Sequence, residues 1–298
     1  MKFVKTECLV CSTKTDTVEV YPQNLPKNIS EVNYSGRKIP DNFHYRMIRC
    51  LSCGLLFADE IYDSDTITQL YENSSFDYTN ELKGLEKTYS SLFKYINKYD
   101  IEKNKFLDVG CANGFLVKKA KDFGFKHVYG SEISFNAINA SDDSIKKNIL
   151  QGPFDPKNYK KNSFDVVFFA MIIEHFENPN KFLNDVYKIL KPGGLLIGIT
   201  HDEKHFLSKI LKNKHPIIND EHIAVFDKNT LKKIMKKNLF KVLNTENLKN
   251  YYSISYWLQL LPIAYFIKKI CIYFSKFCNL DKKLIGLKAG NIYIICKK

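Results

Sequence analysis

The sequence predicts an α/β protein: a seven-stranded, largely parallel sheet with helices on both faces, preceded by a small cysteine-bearing module. Three observations carry that expectation. From Lys105 onward, short apolar runs alternate with amphipathic segments of helical length. The first of those runs ends in a turn with two glycines, Gly110 and Gly114. Four of the eight cysteines form two Cys-x-x-Cys pairs, both within the first 53 residues.

The elements follow in order. Residues 1–60 hold the cysteine pairs around a polar segment with Pro22, Pro26, Gly36 and Pro40. Residues 61–104 read as a helical bridge, with Ile67, Leu70 and Tyr71 on one face and Leu82, Leu85, Tyr89, Leu92, Phe93 and Ile96 on another. Within residues 105–298, strands are expected at 105–109, 127–132, 147–151, 164–170, 194–200, 239–245 and 290–296. Helices are expected at 114–123, 134–141, 180–190, 228–237 and through much of 252–278. Asn180 is the expected N-cap of the 180–190 helix and Pro192-Gly193-Gly194 its terminator.

Composition bounds the class. The chain has 298 residues, 45% of them hydrophobic, enough for one α/β domain and an accessory module. MKFVKTECLV has no apolar h-region, and no apolar stretch of about 18 residues runs free of charge. Neither a secretory leader nor a spanning helix is expected. Tight cysteine pairs suit metal ligation in a reducing cytoplasm better than disulfide staples. The formal net charge of +13 is compatible with nucleic acid, an anionic membrane surface or a phosphorylated substrate, and selects none of them. Lys232, Lys233, Lys236 and Lys237 read as the solvated face of a helix that buries Leu231, Ile234 and Met235; lacking interleaved aromatics, they argue against nucleic acid as a partner.

The run Phe106-Leu-Asp-Val-Gly-Cys-Ala-Asn-Gly-Phe115 carries the first chemistry. A buried strand ends near Asp108, and Gly110 and Gly114 turn the chain into a helix whose N-terminal N–H groups are free for a ligand. One strand on, Glu132 in Tyr129-Gly-Ser-Glu places a carboxylate where it can accept both ribose hydroxyls of a nucleoside. Dinucleotide binders show G-x-G-x-x-G, which leaves space for a pyrophosphate. Here the spacing is G-x-x-x-G, with Asp108 two residues ahead. A carboxylate there repels a pyrophosphate and suits the ammonium of a methionine moiety, so the loop favours S-adenosylmethionine.

The runs FLDVGCANG, YGSEIS, FDVVFFAMIIEHFENP and ILKPGGLLIGIT resemble, in order and spacing, the successive motifs of class I S-adenosylmethionine-dependent methyltransferases. Gly290–Lys298 resembles that fold's final antiparallel strand. The resemblance implies a Rossmann-like sheet and a cofactor site at Asp108, Gly110, Cys111, Ala112, Gly114, Glu132, Ile133 and Ala170. Ala112 stands where the family usually has glycine. Pro153 stands where an acidic residue often meets the adenine amine, which leaves Phe154 and Asp155 as candidates for that contact.

Cys8-Leu-Val-Cys11 and Cys50-Leu-Ser-Cys53 are two thiolate knuckles, together a four-sulfur shell for Zn2+ with no position left open, hence a structural ion. The arrangement CxxC…RCxxCGLxF, then helices, then the glycine-loop core resembles a bacterial group that includes sugar methyltransferases. It implies a sugar hydroxyl as acceptor, on a nucleotide sugar, phosphorylated sugar or lipid-linked glycan, in cell-surface polysaccharide or glycoconjugate synthesis. An RNA methyltransferase and a non-catalytic binding subunit of the same fold are the rivals.

At the acceptor end, Met171-Ile-Ile-Glu174-His175 follows the fourth strand. A hydroxyl acceptor must lose its proton, and histidine, with an ordinary pKa near about 6.5, can take it. His175 is the first choice, with Glu174 orienting it or the substrate. His201 and His222, in loops at the same sheet edge, compete for the role. His44, His127, His205 and His215 have no such placement. Residues 251–286 alternate aromatic and aliphatic residues with lysines around Trp257 and Pro262. They read as a lid or homodimer face over the acceptor pocket, or as helices resting on the inner membrane surface to reach a lipid-linked substrate.

Overall fold

The computed structural model describes residues 2–26, 42–72, 81–260 and 265–298; Gly36, Pro40 and Pro262, named above, lie outside them. Seven strands form the main sheet: β1 (Lys105–Val109), β2 (His127–Glu132), β3 (Ile149–Gln151), β4 (Phe164–Ala170), β5 (Leu190–His201), β6 (Lys241–Asn247) and β7 (Asn291–Lys297). Their order is β6-β7-β5-β4-β1-β2-β3. β7 runs antiparallel to both neighbours, and the run from β5 to β3 is parallel. The order reverses between β1 and β4, the switch point at which an open α/β sheet leaves a crevice.

The two-residue period of the strands splits the core in two. On β1 and β4, Phe106, Val166 and Phe168 face a cluster built with Leu116, Val117 and Ala120. Leu107, Val109, Val167 and Phe169 face the opposite cluster, built with Phe182, Leu183, Val186, Leu231 and Ile234. Burial on both faces is why these strands read as continuous apolar runs.

That second cluster also contains the cysteine-bearing module. Leu9, Val10, Tyr45, Met47, Leu55, Leu56, Phe57 and Ile61 are buried in it, so module and sheet share one core. The module's sheet is finished by a strand from far along the chain: Thr17–Tyr21, Met47–Cys50 and Leu56–Ala58 are joined at the edge by Ala224–Val225.

Several local expectations are corrected. Asn178 caps the helix Pro179–Ile189, its side chain accepting from the Lys181 N–H, because Pro179 supplies the fixed φ of a first helical residue. Asn180 lies one position inside, donating to the Leu9 carbonyl and accepting from Asn238. Pro192-Gly193-Gly194 does not end that helix; β5 begins at Leu190, and the three residues form an irregularity before regular pairing resumes at Leu195. The helix expected at 134–141 is shorter, Phe135–Asn139, and a separate one, Asp143–Lys146, follows it, the two capped by the Ser134 and Asp142 side chains. Lys233 and Lys237 are exposed on the solvated face, as expected, and their ammonium groups additionally reach the carbonyls of Cys53 and Val10.

Much of the 252–278 region is helical, as expected, but its helices stand on a strand pair that the sequence did not show. Asn250–Ser253 pairs antiparallel with Leu284–Leu287, and this two-stranded stem carries the helices Ile254–Leu260 and Tyr265–Phe277. The stem packs on the helix Leu82–Ser90 at Gly84, where a Cβ would sit inside van der Waals contact of the Tyr251 carbonyl oxygen. The Thr88 hydroxyl accepts from the Tyr251 N–H at 2.8 Å beside it. Gly84→Ala therefore sets a helix-propensity gain of about 1 kcal/mol against an overpacking cost of about 1–3 kcal/mol. The clash is with backbone, which cannot rotate away, so the variant should be less stable by urea denaturation.

Candidate active site

One cavity of about 1290 Å³ runs along the carboxyl ends of the strands, beyond the 300–1,000 Å³ usual for one ligand and large enough for two. At one end lie Asp108, Gly110, Cys111, Ala112, Glu132, Ile133, Phe154 and Ala170, all from the cofactor set read in the sequence. Gly110 and Gly114 have φ of 70° and 71°, the left-handed conformation that glycine adopts without strain. A Cβ on Gly110 would press on Ile172, and one on Gly114 on Ile145 and Ile149. Gly114 is thus set behind the loop, closing the helix onto the sheet rather than lining the cavity.

Ala112 takes the same conformation, with φ of 50°. Its N–H donates to Glu132 Oε2 at 2.8 Å, and the Ser134 N–H donates to Oε1 at 2.9 Å. These bonds fix the carboxylate at the tip of β2. Burial raises the Glu132 pKa against the pull of those N–H groups. For buried Asp108 nothing pulls back: burial, then the charge of Glu132, push its carboxyl well above the usual range. A cation would reverse that shift, and the ammonium of a methionine moiety is such a cation. The residues therefore fit S-adenosylmethionine. Asp155, by contrast, accepts from the Lys157 N–H as the cap of a short helical turn and does not line the cavity.

The other end gathers three histidines. His175 and His222 have ring centroids 4.8 Å apart, and those of His201 and His222 are separated by 5.1 Å. Each offers Nδ1 to a fixed oxygen: His175 donates to the Glu221 carbonyl at 3.0 Å, His222 to the Ile217 carbonyl at 2.7 Å, His201 to Asn291 Oδ1 at 3.0 Å. A carbonyl can only accept, so in each ring Nδ1 carries the hydrogen and Nε2 the lone pair. Burial pulls the His175 pKa down to about 4, against the carbonyls of Glu221 and Met171, so the ring is neutral at pH 7.

Glu174 does not orient His175 through a hydrogen bond. That is done by the Tyr71 hydroxyl, 2.8 Å from His175 Nδ1, which itself donates to Glu221 Oε2 at 3.1 Å. Glu174 is buried behind the cavity wall, accepting from the Thr200 hydroxyl at 2.9 Å, with Oε1 3.9 Å from His201 Nε2. Burial pushes its pKa up to about 7. His205 and His215 also line the cavity, correcting the expectation that they lie apart from it. Tyr71 and Glu221 were missed. Glu221 stood beside His222, but Tyr71 read as one more apolar helix position.

The four cysteines converge as their spacing requires. Cys8 and Cys53 sulfurs are 3.3 Å apart, Cys11 and Cys50 sulfurs 3.4 Å, close to the edge of about 3.8 Å of a tetrahedron with metal–sulfur bonds of about 2.3 Å. The knuckles match: Ser12 and Gly54 follow the second cysteine of each, both with positive φ, and return their N–H to the carbonyls of Cys8 and Cys50. Glu174, His175 and His222 form a second group whose ligand atoms lie within 4.8 Å of one another.

A carboxylate-lined crevice at the switch point, opening onto a cluster of histidines, defines a group-transfer enzyme of the nucleoside-binding α/β class. Residues 82–245, more than half of the chain, match the methyltransferase-domain family, and the chain belongs to it. Its catalytic domain is accordingly that of an S-adenosylmethionine-dependent methyltransferase. It is 32% identical over 102 residues to a ubiquinone biosynthesis O-methyltransferase of Rickettsia conorii, covering 33% of this chain and 35% of that protein. It is 26% identical over 149 residues to a ribosomal protein L11 methyltransferase of Prochlorococcus marinus, covering 46% and 49%. The chain thus spans half or less of the length of these curated relatives. An S-adenosylmethionine-dependent methyltransferase of Archaeoglobus fulgidus shares the fold, with a TM-score of 0.50 at 19% identity over 74% of this chain and 100% of that one.

Ala112 offers a direct check on the loop. Relieving left-handed strain in a non-glycine residue gains about 1–2 kcal/mol, and glycine's extra unfolded entropy takes back about 0.5–1 kcal/mol. Ala112→Gly should raise stability by about 0.5–1 kcal/mol in chemical denaturation and leave S-adenosylmethionine affinity by calorimetry unchanged, since the bond to Glu132 is from backbone.

Proposed function

We propose that this protein transfers a methyl group from S-adenosylmethionine to a hydroxyl of a sugar-bearing small molecule: a nucleotide sugar, a phosphorylated sugar or a lipid-linked glycan of cell-surface polysaccharide or glycoconjugate synthesis. The observation that carries this reading is that the carboxylate-lined end and the three histidines share one cavity. Asn219, Asn250 and Asn291 add amides to the acceptor half, and Tyr252, Tyr256 and Trp257 add aromatic faces on which a pyranose ring can stack. The O-methyltransferase relative supports oxygen as the acceptor atom.

The bound cofactor supplies an activated methyl group for in-line displacement. Asp108 holds its ammonium, Glu132 its ribose hydroxyls, and Gly110 leaves room for close approach. His175 takes the acceptor's proton at Nε2. The imidazolium that forms is shared with the carbonyls of Glu221 and Met171, and the Glu221 carboxylate reaches it through the Tyr71 hydroxyl. Alignment of acceptor oxygen and methyl carbon does much of the work in such a step.

Cys8, Cys11, Cys50 and Cys53 hold a structural Zn2+ in this reading. A zinc ion with four thiolates carries two net negative charges, and the ammonium groups of Lys233 and Lys237 on the knuckle carbonyls offset them. Purified protein should contain one zinc per chain by elemental analysis, and Cys50→Ser should lose it.

The function is tested by cofactor consumption with nucleotide sugars, phosphorylated sugars and lipid-linked glycans. Turnover with one class supports the reading; turnover only with RNA or protein ends it. The base is tested by pH. A histidine whose pKa is depressed stays in its basic form down to that value, so the acid limb of kcat/KM should lie near 4, well below the ordinary histidine value of about 6.5. A limb near about 6.5 would move the role to another of the three histidines.

A further inference from the structure

The helix Tyr265–Phe277 turns an apolar face to solvent. Phe266, Ile270, Tyr273, Phe274 and Phe277 are between 60% and 75% exposed, and their spacing of four, three, one and three residues places them on a single side. Its opposite side, with Ile272 and buried Ser275, turns inward. Among the described side chains, none of residues 266–277 lines the cavity, so the stripe does not close the acceptor pocket as a lid. Yet the cavity is adjacent: Tyr256, Trp257 and Leu260 of the preceding helix and Leu287 of the stem line it, and Leu260 and Leu287 are also exposed to solvent.

Charge decides what covers this face. Between residues 248 and 290 the sequence has seven lysines and one acidic residue, Asp281. A second copy docked face to face would set those lysines against their own equivalents. An anionic lipid surface complements them, while exposed aromatic and aliphatic side chains enter the headgroup boundary. The helix has 13 residues, short of the roughly 20 needed to cross, and no described helix is long and apolar enough to span a membrane. It suits lying in the interface plane.

We propose that the exposed face of Tyr265–Phe277 seats the protein on an anionic membrane surface, with the cavity mouth at the interface, so that the acceptor is an amphiphile whose polar head reaches the histidines while its tail stays in lipid. The acceptor part rests on the methyl-transfer reading above; the membrane part does not.

The experiment is flotation of the full-length protein with vesicles of phosphatidylcholine alone and of phosphatidylcholine with one-quarter phosphatidylglycerol, which needs no acceptor. Binding should be at least tenfold tighter to the anionic vesicles and weaken as salt rises. Phe274→Glu/Phe277→Glu should lose binding at least tenfold while keeping wild-type circular dichroism and S-adenosylmethionine affinity. Equal binding to both vesicles, no binding to either, or a double variant that binds as wild type overturns the proposal. So does a concentration-dependent dimer that the double variant abolishes in protein that ignores vesicles, since a second copy would then own the face. If vesicle binding holds but no glycolipid is methylated, the acceptor reading fails and the membrane surface stands.

Discussion

Two residues of backbone pairing organise the acceptor half of this molecule. Ala224 and Val225 pair with Phe57 and Leu56, completing the sheet of the cysteine-bearing module with chain from the catalytic domain. Ile223, immediately before them, donates to the Glu174 carbonyl and accepts from the Ala58 N–H, so the loop holding Glu221 and His222 is clamped between the module and the end of β4. Arg49 adds an ion pair to Glu203, just past His201, at 2.8 Å. Tyr71, on the first helix after the module, reaches His175 and Glu221. Through these contacts the backbone of the cysteine-bearing module fixes where the histidines stand.

The electrostatics of the two cavity ends are opposite in kind. At the cofactor end, burial raises both carboxyls, and the charge of Glu132 adds to the upward push on Asp108, a cost that a bound cation offsets. At the acceptor end, burial favours neutral forms: His175 resists protonation down to about 4, and Glu174 holds its proton up to about 7. Between those values the pair carries no charge. A neutral imidazole is the form that can accept a proton from an uncharged hydroxyl.

What was legible in the sequence was what backbone geometry or metal coordination demands locally. Gly110, Gly114, Asp108 and Glu132 could be read because a tight turn and a nucleoside fix their spacing, and the knuckles because two sulfurs on one turn must be adjacent. All seven strands of the main sheet were visible, most plainly the central ones, where burial on both faces leaves long apolar runs. Illegible features depend on contacts distant in sequence. Tyr71 meets partners 104 and 150 residues away, and a lone aromatic at helical spacing reads as core. The strand Ala224–Val225 is too short for any periodicity. Asn178 was recoverable, since Pro179 marks a first helical position, and preferring Asn180 overlooked it.

With zinc on its four cysteines, as proposed above, the module orders the acceptor wall and not the cofactor loop. Hydrogen exchange of the zinc-loaded protein, compared with protein stripped by chelator, tests this most directly. Stripping should speed exchange in residues 64–72 and 220–226 as well as around the cysteines, and leave residues 105–132 protected. Faster exchange confined to residues 8–53, with 220–226 as slow as before, would contradict it and return the module to the status of a separate domain.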